Sequence, residues 1–88
     1  MMERLEPFRQ ALGDLRRRLR EGDLEPGSRI TAKEVAEGLR LSPTPVREAL
    51  SRLAGEGLLE ERRGDGLFVP ELSATDVAGL YRLSEQLL

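Results

Sequence analysis

The chain has 88 residues, enough for one small domain whose core leaves little stability to spare. It is 39% hydrophobic and 34% charged with three aromatic residues, a composition typical of a compact helical domain rather than of a disordered chain. The absence of cysteine and histidine excludes disulfides, the usual zinc sites and the catalytic pairs built on these side chains, so we expect no metal, no cofactor and no enzymatic activity. With no apolar run of spanning length and no signal peptide, we expect a cytoplasmic protein with no membrane partner.

The net charge of −2 hides an uneven distribution of basic and acidic side chains. Residues 27–53 contain five basic and three acidic side chains, and Arg62 and Arg63 form a second basic point. The acidic residues concentrate at positions 21–25 and after Glu56. A locally basic face on an acidic domain favours selective rather than bulk phosphate binding.

The first predicted element is a long amphipathic helix over about residues 4–21. Its apolar stripe steps by three and four residues, through Leu5, Phe8, Leu12, Leu15 and Leu19. The basic run Arg16-Arg17-Arg18, together with Arg20, could form a nucleic-acid or anionic-membrane surface. We favour the plainer interpretation, in which these side chains form a solvated face paired with Asp14 and Glu21.

Two short helices joined by a tight turn are predicted next. Arg29-Ile30-Thr31 indicates a short edge strand, and either Thr31 or Ser28 would cap the helix that follows it. Glu34 lies three residues after Thr31, which is the spacing of a capping box. The buried stripe of this helix would consist of Ala32, Val35, Ala36 and Leu39. Its outward face would present Lys33, Glu37 and Arg40.

The second short helix has a clear beginning and two distinct faces. Ser42 is a natural N-cap, and Pro43 and Pro45 fall in the first turn, where a missing N–H costs no helical hydrogen bond. The predicted buried stripe is Val46, Ala49, Leu50 and Leu53. The opposite face presents Thr44, Arg47, Glu48 and Ser51. A stiff helix start beside a hydroxyl and a guanidinium suits entry into a DNA major groove, and the helix pair is a helix-turn-helix.

A β-hairpin is predicted after Gly57. Leu58-Leu59 begins one strand, Gly64-Asp65-Gly66 forms a tight turn, and Leu67-Phe68-Val69 returns as the second strand. We expect Phe68 to join the apolar stripe of the second short helix in the core. A hairpin with a basic tip after a helix-turn-helix is a wing. The predicted fold class is therefore mainly α with a small β-hairpin, a winged helix-turn-helix.

The last predicted helix has a clear start, because Ser73 is followed three residues later by Asp76. Its apolar stripe runs to the end of the chain with no glycine, proline or basic cap, through Leu80, Leu83 and Leu87. We therefore expect residues 1–71 to form a winged helix-turn-helix DNA-binding domain. Residues 72–88 would be a linker helix that begins a C-terminal effector domain.

The chain resembles the N-terminal DNA-binding domain of the GntR family of bacterial transcription regulators over nearly all of its length. The motifs that carry the resemblance are Gly22-Asp23-Leu24-Glu25-Pro26-Gly27, Arg29-Ile30, Glu34-Val35-Ala36, Ser42-Pro43-Thr44-Pro45-Val46-Arg47-Glu48-Ala49-Leu50, Leu53, Glu56-Gly57-Leu58 and Arg63-Gly64-Asp65-Gly66-Leu67-Phe68-Val69. The tail from Asp76 to Leu88 is similar to the start of the all-helical effector-binding domain of the FadR-type subfamily.

The resemblance implies a sequence-specific transcriptional regulator that binds a palindromic operator in double-stranded DNA as a homodimer. The second short helix would enter the major groove, and the wing would reach the adjacent minor groove. Thr44 and Arg47 would contact base edges or phosphates, and Ser42 would bond a phosphate. Further contacts are implied for Lys33, Arg63 and Gly64, with Arg29 and Arg52 as phosphate partners. A small-molecule effector would act only through a domain outside this chain.

Three positions depart from the family pattern. Pro43 stands where an arginine is usual, which removes one base-reading guanidinium. Arg40 stands where the turn between the two motif helices usually has glycine, and a positive φ there would cost on the order of 1 kcal/mol. Gly38, inside the preceding helix, would cost about 1 kcal/mol more. Asp65 in the wing should weaken its insertion slightly.

Each predicted contact has a plainer alternative. Arg47 could form a surface salt bridge, Thr44 a hydrogen bond at the helix start, and Lys33 an ion pair with Glu37. The wing tip could be an ordinary hairpin turn. For the whole chain, the alternative function is protein association, with the first and last helices forming a dimer surface and no role for DNA.

Overall fold

Three helices and three short strands are found in residues 2–71, the part of the chain that the computed structural model describes. In chain order they are α1 (Met2–Glu21), β1 (Arg29–Ile30), α2 (Ala32–Leu39), α3 (Pro43–Gly55), β2 (Glu60–Arg62) and β3 (Gly66–Phe68). The three predicted helices in this range are confirmed, with α1 beginning two residues earlier than expected. The predicted last helix, over residues 72–88, lies outside the described residues.

The core is formed by the apolar stripes that the helical spacing predicts. On α3, Val46, Leu50 and Leu53 are buried as expected. Leu15 of α1 is fully buried with them. The cluster is completed by Ala11 of α1, Ala49 of α3, Ile30 of β1, Val35 and Ala36 of α2, and Leu59 and Val69, which adjoin β2 and β3. Because α3 has its apolar side in this cluster, its polar side is left facing solvent.

The strands form one antiparallel sheet in the order β1-β3-β2. The expected edge position of β1 is confirmed, with Ile30 opposite Leu67. The predicted strand start at Leu58-Leu59 is wrong, since β2 begins at Glu60. The backbone N–H of Leu58 instead donates to the Leu53 carbonyl at 2.9 Å and closes the end of α3.

Phe68 is not a core residue, contrary to the sequence prediction. Along β3 successive side chains point to opposite faces of the sheet. Leu67 packs against the core, whereas Phe68 is half-buried and lies outside the core cluster of the described residues. The guanidinium of Arg62 lies over the Phe68 ring, 4.1 Å from its centroid. The Phe68 ring therefore makes a cation–π contact within the wing.

The three helices end in the same way, with a residue of positive φ after the last turn. The backbone N–H of the next residue then donates to the carbonyl five positions earlier at 2.9 Å, at each of the three ends. This is the hydrogen bond of a Schellman motif. Gly22 and Gly57 hold the positive-φ position after α1 and α3, but Arg40 holds it after α2, with φ 58°. The predicted strain at Arg40 is therefore confirmed, at a cost of roughly 1 kcal/mol.

Candidate nucleic-acid interface

The start of α2 is set by Thr31, which places Lys33 on the exposed side of the first turn. The Thr31 hydroxyl oxygen accepts a hydrogen bond from the Glu34 backbone N–H at 3.2 Å. Of the two predicted caps, Thr31 is thus the one used, while the Ser28 hydroxyl donates to the Glu25 carbonyl at 2.6 Å. The alternative ion pair between Lys33 and Glu37 does not form, and Lys33 has no partner within residues 2–71.

The start of α3 presents a hydroxyl without a helical partner. Ser42 occupies the N-cap position with extended backbone (φ −74°, ψ 154°), and Pro43 is the first helical residue, as predicted. The predicted side-chain cap bond is wrong, because the Ser42 hydroxyl caps no backbone N–H. Ser42 is exposed, so this hydroxyl is available to an external acceptor, together with the Thr44 backbone N–H, since Pro43 and Pro45 have none.

Thr44 and Arg47 lie on the exposed side of the first two turns of α3. The opposite side is fixed in the core by Val46, Ala49 and Leu50. Neither plainer alternative is observed in the described part of the chain, where Arg47 forms no salt bridge and the Thr44 hydroxyl makes no hydrogen bond. The recognition helix, as we call α3 from here on, therefore presents a hydroxyl and an unpaired guanidinium to solvent from a rigidly packed base.

The wing has an exposed basic tip between β2 and β3. Arg63 and Gly64 lie in the turn, which is closed by the Asp65 backbone N–H donating to the Arg62 carbonyl at 2.9 Å. Arg63 is exposed and forms no ion pair with another described residue. Arg62, by contrast, is tied into the sheet by its ion pair with Glu60 at 3.1 Å. Of the two basic residues in the predicted tip, Arg63 is thus the one free to reach a ligand.

Arg29 belongs spatially to the wing although it precedes the helix-turn-helix in sequence. Strand β1 pairs with β3, and the Arg29 guanidinium lies against Gly66. A Cβ added at Gly66 would stand 3.2 Å from Arg29 Nε, and φ at this residue is 104°. A side chain at position 66 would therefore displace Arg29 as well as strain the backbone.

Arg52 is the one predicted contact residue that is already engaged. Its Nε donates to Glu56 Oε2 at 3.0 Å. Both terminal nitrogens of Arg16, on α1, lie 2.8 Å from an oxygen of the same carboxylate. Hydrogen bonds from Arg16 and Arg52 lower the pKa of Glu56, and the bond to Glu56 raises the pKa of Arg16. This pairing across 40 residues joins α1 to the end of the recognition helix, and no local sequence pattern indicated it.

The basic run on α1 is neutralised by carboxylates. Arg17 donates to Asp14 at 3.1 Å and to Glu21 at 2.9 Å, and these two hydrogen bonds raise its pKa. Arg18 lies 3.7 Å from Asp14. The predicted pairing with Asp14 and Glu21 is confirmed for Arg17 and Arg18, whereas Arg16 pairs with Glu56 instead.

Exposed cations without an ion pair are also found on the other elements of the described chain. Outside α1 they are Arg29, Lys33, Arg40, Arg47 and Arg63. We call these five side chains the free-cation set. Four of them were predicted as contacts, and Arg40 was missed because its position suggested only backbone strain. Polyanions are bound by cations that are not already neutralised, so the free-cation set is the candidate nucleic-acid interface.

Within residues 2–71, the helices are too short or too polar to cross a membrane.

A helix-turn-helix followed by a hairpin with a basic tip defines the class of winged helix-turn-helix domains. The family model of bacterial regulatory proteins, gntR family, matches residues 7–69. The chain therefore belongs to the GntR family, as its motifs indicated.

Named relatives and solved structures agree with this assignment. The HTH-type transcriptional regulator McbR of Escherichia coli strain K12 is 37% identical over 78 residues, which cover 89% of this chain and 35% of McbR. The Nta operon transcriptional regulator of Aminobacter aminovorans is 45% identical over 58 residues, covering 66% of this chain and 28% of that protein. The chain thus spans about a third of the length of these curated relatives.

Two structures match the described fold. E. coli McbR/YncC superposes with a TM-score of 0.72 at 36% identity, covering 88% of this chain and 36% of that one. The DNA-binding domain of AraR in complex with operator ORX1 superposes with a TM-score of 0.62 at 26% identity, covering 72% of this chain and 77% of that one.

Proposed function

We propose that this chain is the DNA-binding part of a GntR-family transcriptional regulator that recognises a palindromic operator in double-stranded DNA as a homodimer. The recognition helix would lie in the major groove, with the wing in the adjacent minor groove. A major groove admits an α-helix, and each base pair presents a distinct pattern of donors and acceptors there. The AraR domain, which matches this fold, is a protein in complex with its operator.

The observation that supports this proposal most strongly is the free-cation set. Its members project from α2, the recognition helix and the wing, the elements that contact DNA in a winged helix-turn-helix. A phosphate that binds such a cation releases a counterion without first breaking an internal ion pair. The protein net charge of −2 is then compatible with binding, because residues 27–53 carry five basic and three acidic side chains.

The proposed roles follow from chemistry and position. Thr44 and Arg47 would contact base edges or phosphates. A guanidinium forms two hydrogen bonds with the edge of guanine, and a hydroxyl can hydrogen-bond the edge of either guanine or adenine. Phosphate contacts would come from Ser42, Lys33, Arg29, Arg63 and the Gly64 backbone. Arg52 would reach phosphate only by releasing Glu56, so we expect the smallest contribution from this residue.

The same proposal assigns residues 1–71 to the DNA-binding domain and residues 72–88 to the start of an effector domain. The regular apolar spacing of Leu80, Leu83 and Leu87 supports an all-helical domain of the FadR type. A small-molecule effector would act through that domain, and the homodimer would form in the full-length regulator. Bacterial operators lie in the cytoplasm, which is where such a regulator would act.

Selection of bound duplexes from a random pool tests the proposed function. We expect an enriched half-site, repeated as an inverted pair at a spacing set by the dimer. With the selected duplex, log Kobs should fall linearly with log salt, by about 0.9 per phosphate contacted. A chain that enriches no sequence and binds no duplex at low salt would contradict the proposal and leave protein association as its function.

A further inference from the structure

The residue that closes α2 is strained where a glycine would not be. Arg40 has φ 58° and ψ 42°, in the left-handed region. At the equivalent position after α1 and α3 the chain has Gly22 and Gly57. Glycine adopts this conformation without the Cβ clash that every other L-residue meets, so Arg40 costs folding stability that glycine would not. Strain that is retained in a structure points to a function for the strained residue.

The side chain of Arg40 is exposed and takes no part in holding the fold. It forms no hydrogen bond, ion pair or ring contact within residues 2–71. The two backbone bonds that close the turn use main-chain atoms only: Arg40 N–H to the Glu37 carbonyl at 3.4 Å, and Leu41 N–H to the Ala36 carbonyl at 2.9 Å. These bonds would survive any substitution except proline. The guanidinium is therefore dispensable for the turn.

Arg40 stands between the two elements that the proposed function places on DNA. It follows the last residue of α2, the helix that presents Lys33 to solvent. It precedes Ser42, the N-cap of the recognition helix, by two residues, a span of at most about 7 Å. The exposed side chain of Arg40 therefore starts between the helix that presents Lys33 and the beginning of the recognition helix.

We propose that Arg40 is an additional phosphate-binding residue, which anchors the DNA backbone beside the start of the recognition helix. This inference rests on the proposed function. A guanidinium bonds two oxygens of one phosphate at once, and the closed turn holds its backbone in a single conformation. Arg40 thus lowers the stability of the fold and raises the affinity for DNA.

Replacement of Arg40 by glycine should move stability and affinity in opposite directions. In the full chain, Arg40→Gly removes the strain and the charge together, so the thermal unfolding midpoint should rise by a few degrees. Binding to a selected duplex, and to a mixed-sequence duplex of the same length, should weaken several-fold. The slope of log Kobs against log salt should become shallower by about 0.9, the value for one phosphate contact. Arg40→Asn, which tolerates the same backbone, should lose the same contact.

Arg40→Lys keeps the charge and the strain, so it should retain most of the salt slope of the natural chain. The matched control is Arg9→Ala, which removes an exposed arginine of α1 that is likewise unpaired among residues 2–71 and should leave the slope unchanged.

Three outcomes would overturn the inference, each in a different way. If the natural chain binds duplex and Arg47→Ala weakens it, but Arg40→Gly binds with unchanged affinity and slope, Arg40 is no contact and the proposed function stands. If the natural chain binds neither duplex at low salt, the proposed function and this inference fail together. Equal loss in Arg40→Gly and Arg9→Ala would also overturn it, since only overall charge would then matter.

Discussion

Two regions of this molecule are rich in basic side chains, and they differ in whether those side chains are paired with carboxylates in the structure. The second half of α1 contains Arg16, Arg17 and Arg18 in a row, the densest basic run in the chain. Each of these guanidinium groups has a carboxylate within 4 Å. The cations of α2, the recognition helix and the wing are scattered along the sequence, yet the free-cation set has no such partners among the described residues.

The comparison teaches that pairing matters more than the number of arginines in locating a polyanion site. A guanidinium that already bonds a carboxylate must give up that bond before it binds phosphate, and it brings the carboxylate close to the ligand. An unpaired guanidinium loses only its water and a counterion. The free-cation set is therefore the better candidate surface, although each member is isolated in the sequence.

The largest expected effect is a difference between two arginines, one taken from each region. Arg47→Ala should weaken binding to the selected duplex by about 1–3 kcal/mol if the guanidinium bonds a base, and should relax the sequence preference at that base. Arg17→Ala removes the same charge from the paired region and should leave duplex affinity nearly unchanged. Fluorescence anisotropy at fixed salt measures both. Similar losses in the two variants would remove the basis of the comparison.

Lys33→Ala sharpens the comparison by separating phosphate contact from base contact. An ammonium that bonds a phosphate adds affinity for any sequence. The variant should therefore weaken selected and mixed-sequence duplexes by the same factor, and should reduce the salt slope by about 0.9. Titrations of both duplexes at several salt concentrations provide the measurement. A loss confined to the selected duplex would instead assign Lys33 to base recognition.

Gly38→Ala tests whether stability and binding are independent on the α2 side of the interface. Gly38 is exposed within α2, and an added Cβ would meet no atom within 4 Å. Alanine should stabilise the fold by about 1 kcal/mol, because glycine is a poor helix former. Urea unfolding should show the gain, with unchanged duplex affinity. Weaker DNA binding in this variant would mean that the side chain of residue 38 faces the duplex.

The smallest expected effect concerns the ion pair that joins the two regions. Hydrogen bonds from Arg16 and Arg52 lower the folded-state pKa of Glu56 below its unfolded value, which is about 4.3. The stabilisation is therefore present above that unfolded value and is lost as pH falls through the lower folded pKa. Glu56→Gln should reduce the thermal midpoint slightly at pH 7. It should also flatten the dependence of the midpoint on pH between about 5 and 3. An unchanged acid profile would show that the pair contributes nothing.

Much of the fold follows from local patterns in the sequence. Helical spacing identifies α1, α2 and α3 and their buried stripes, and Thr31 caps α2 as one of two expected candidates. The strain at Arg40 was expected from the resemblance to the family, which usually has glycine in this turn, and the positive φ of Arg40 agrees with it. These features depend on neighbours within a few residues, which sequence reasoning can reach.

The features that sequence reasoning missed depend on how the strands and the helix ends are placed in the fold. Phe68 was assigned to the core by its hydrophobicity, but the pleat of β3 places it beside Arg62 instead. Strand β2 begins at Glu60 because Leu58 is used to close the recognition helix. The assignment of Arg52 to a phosphate overlooked Glu56, four residues further along the chain, at the spacing of a helical ion pair. Even at the candidate interface, the sequence did not show which cations are unpaired, because pairing depends on where the carboxylates lie in the fold.

The most direct test of the account compares two double variants that remove equal charge. Lys33→Ala/Arg63→Ala takes two proposed phosphate contacts from the free-cation set, and Arg17→Ala/Arg18→Ala takes two paired arginines from α1. The measurement is the slope of log Kobs against log salt for a mixed-sequence duplex. The account predicts a slope shallower by about 1.8 for the first variant and unchanged for the second. Equal changes in the two slopes would contradict it.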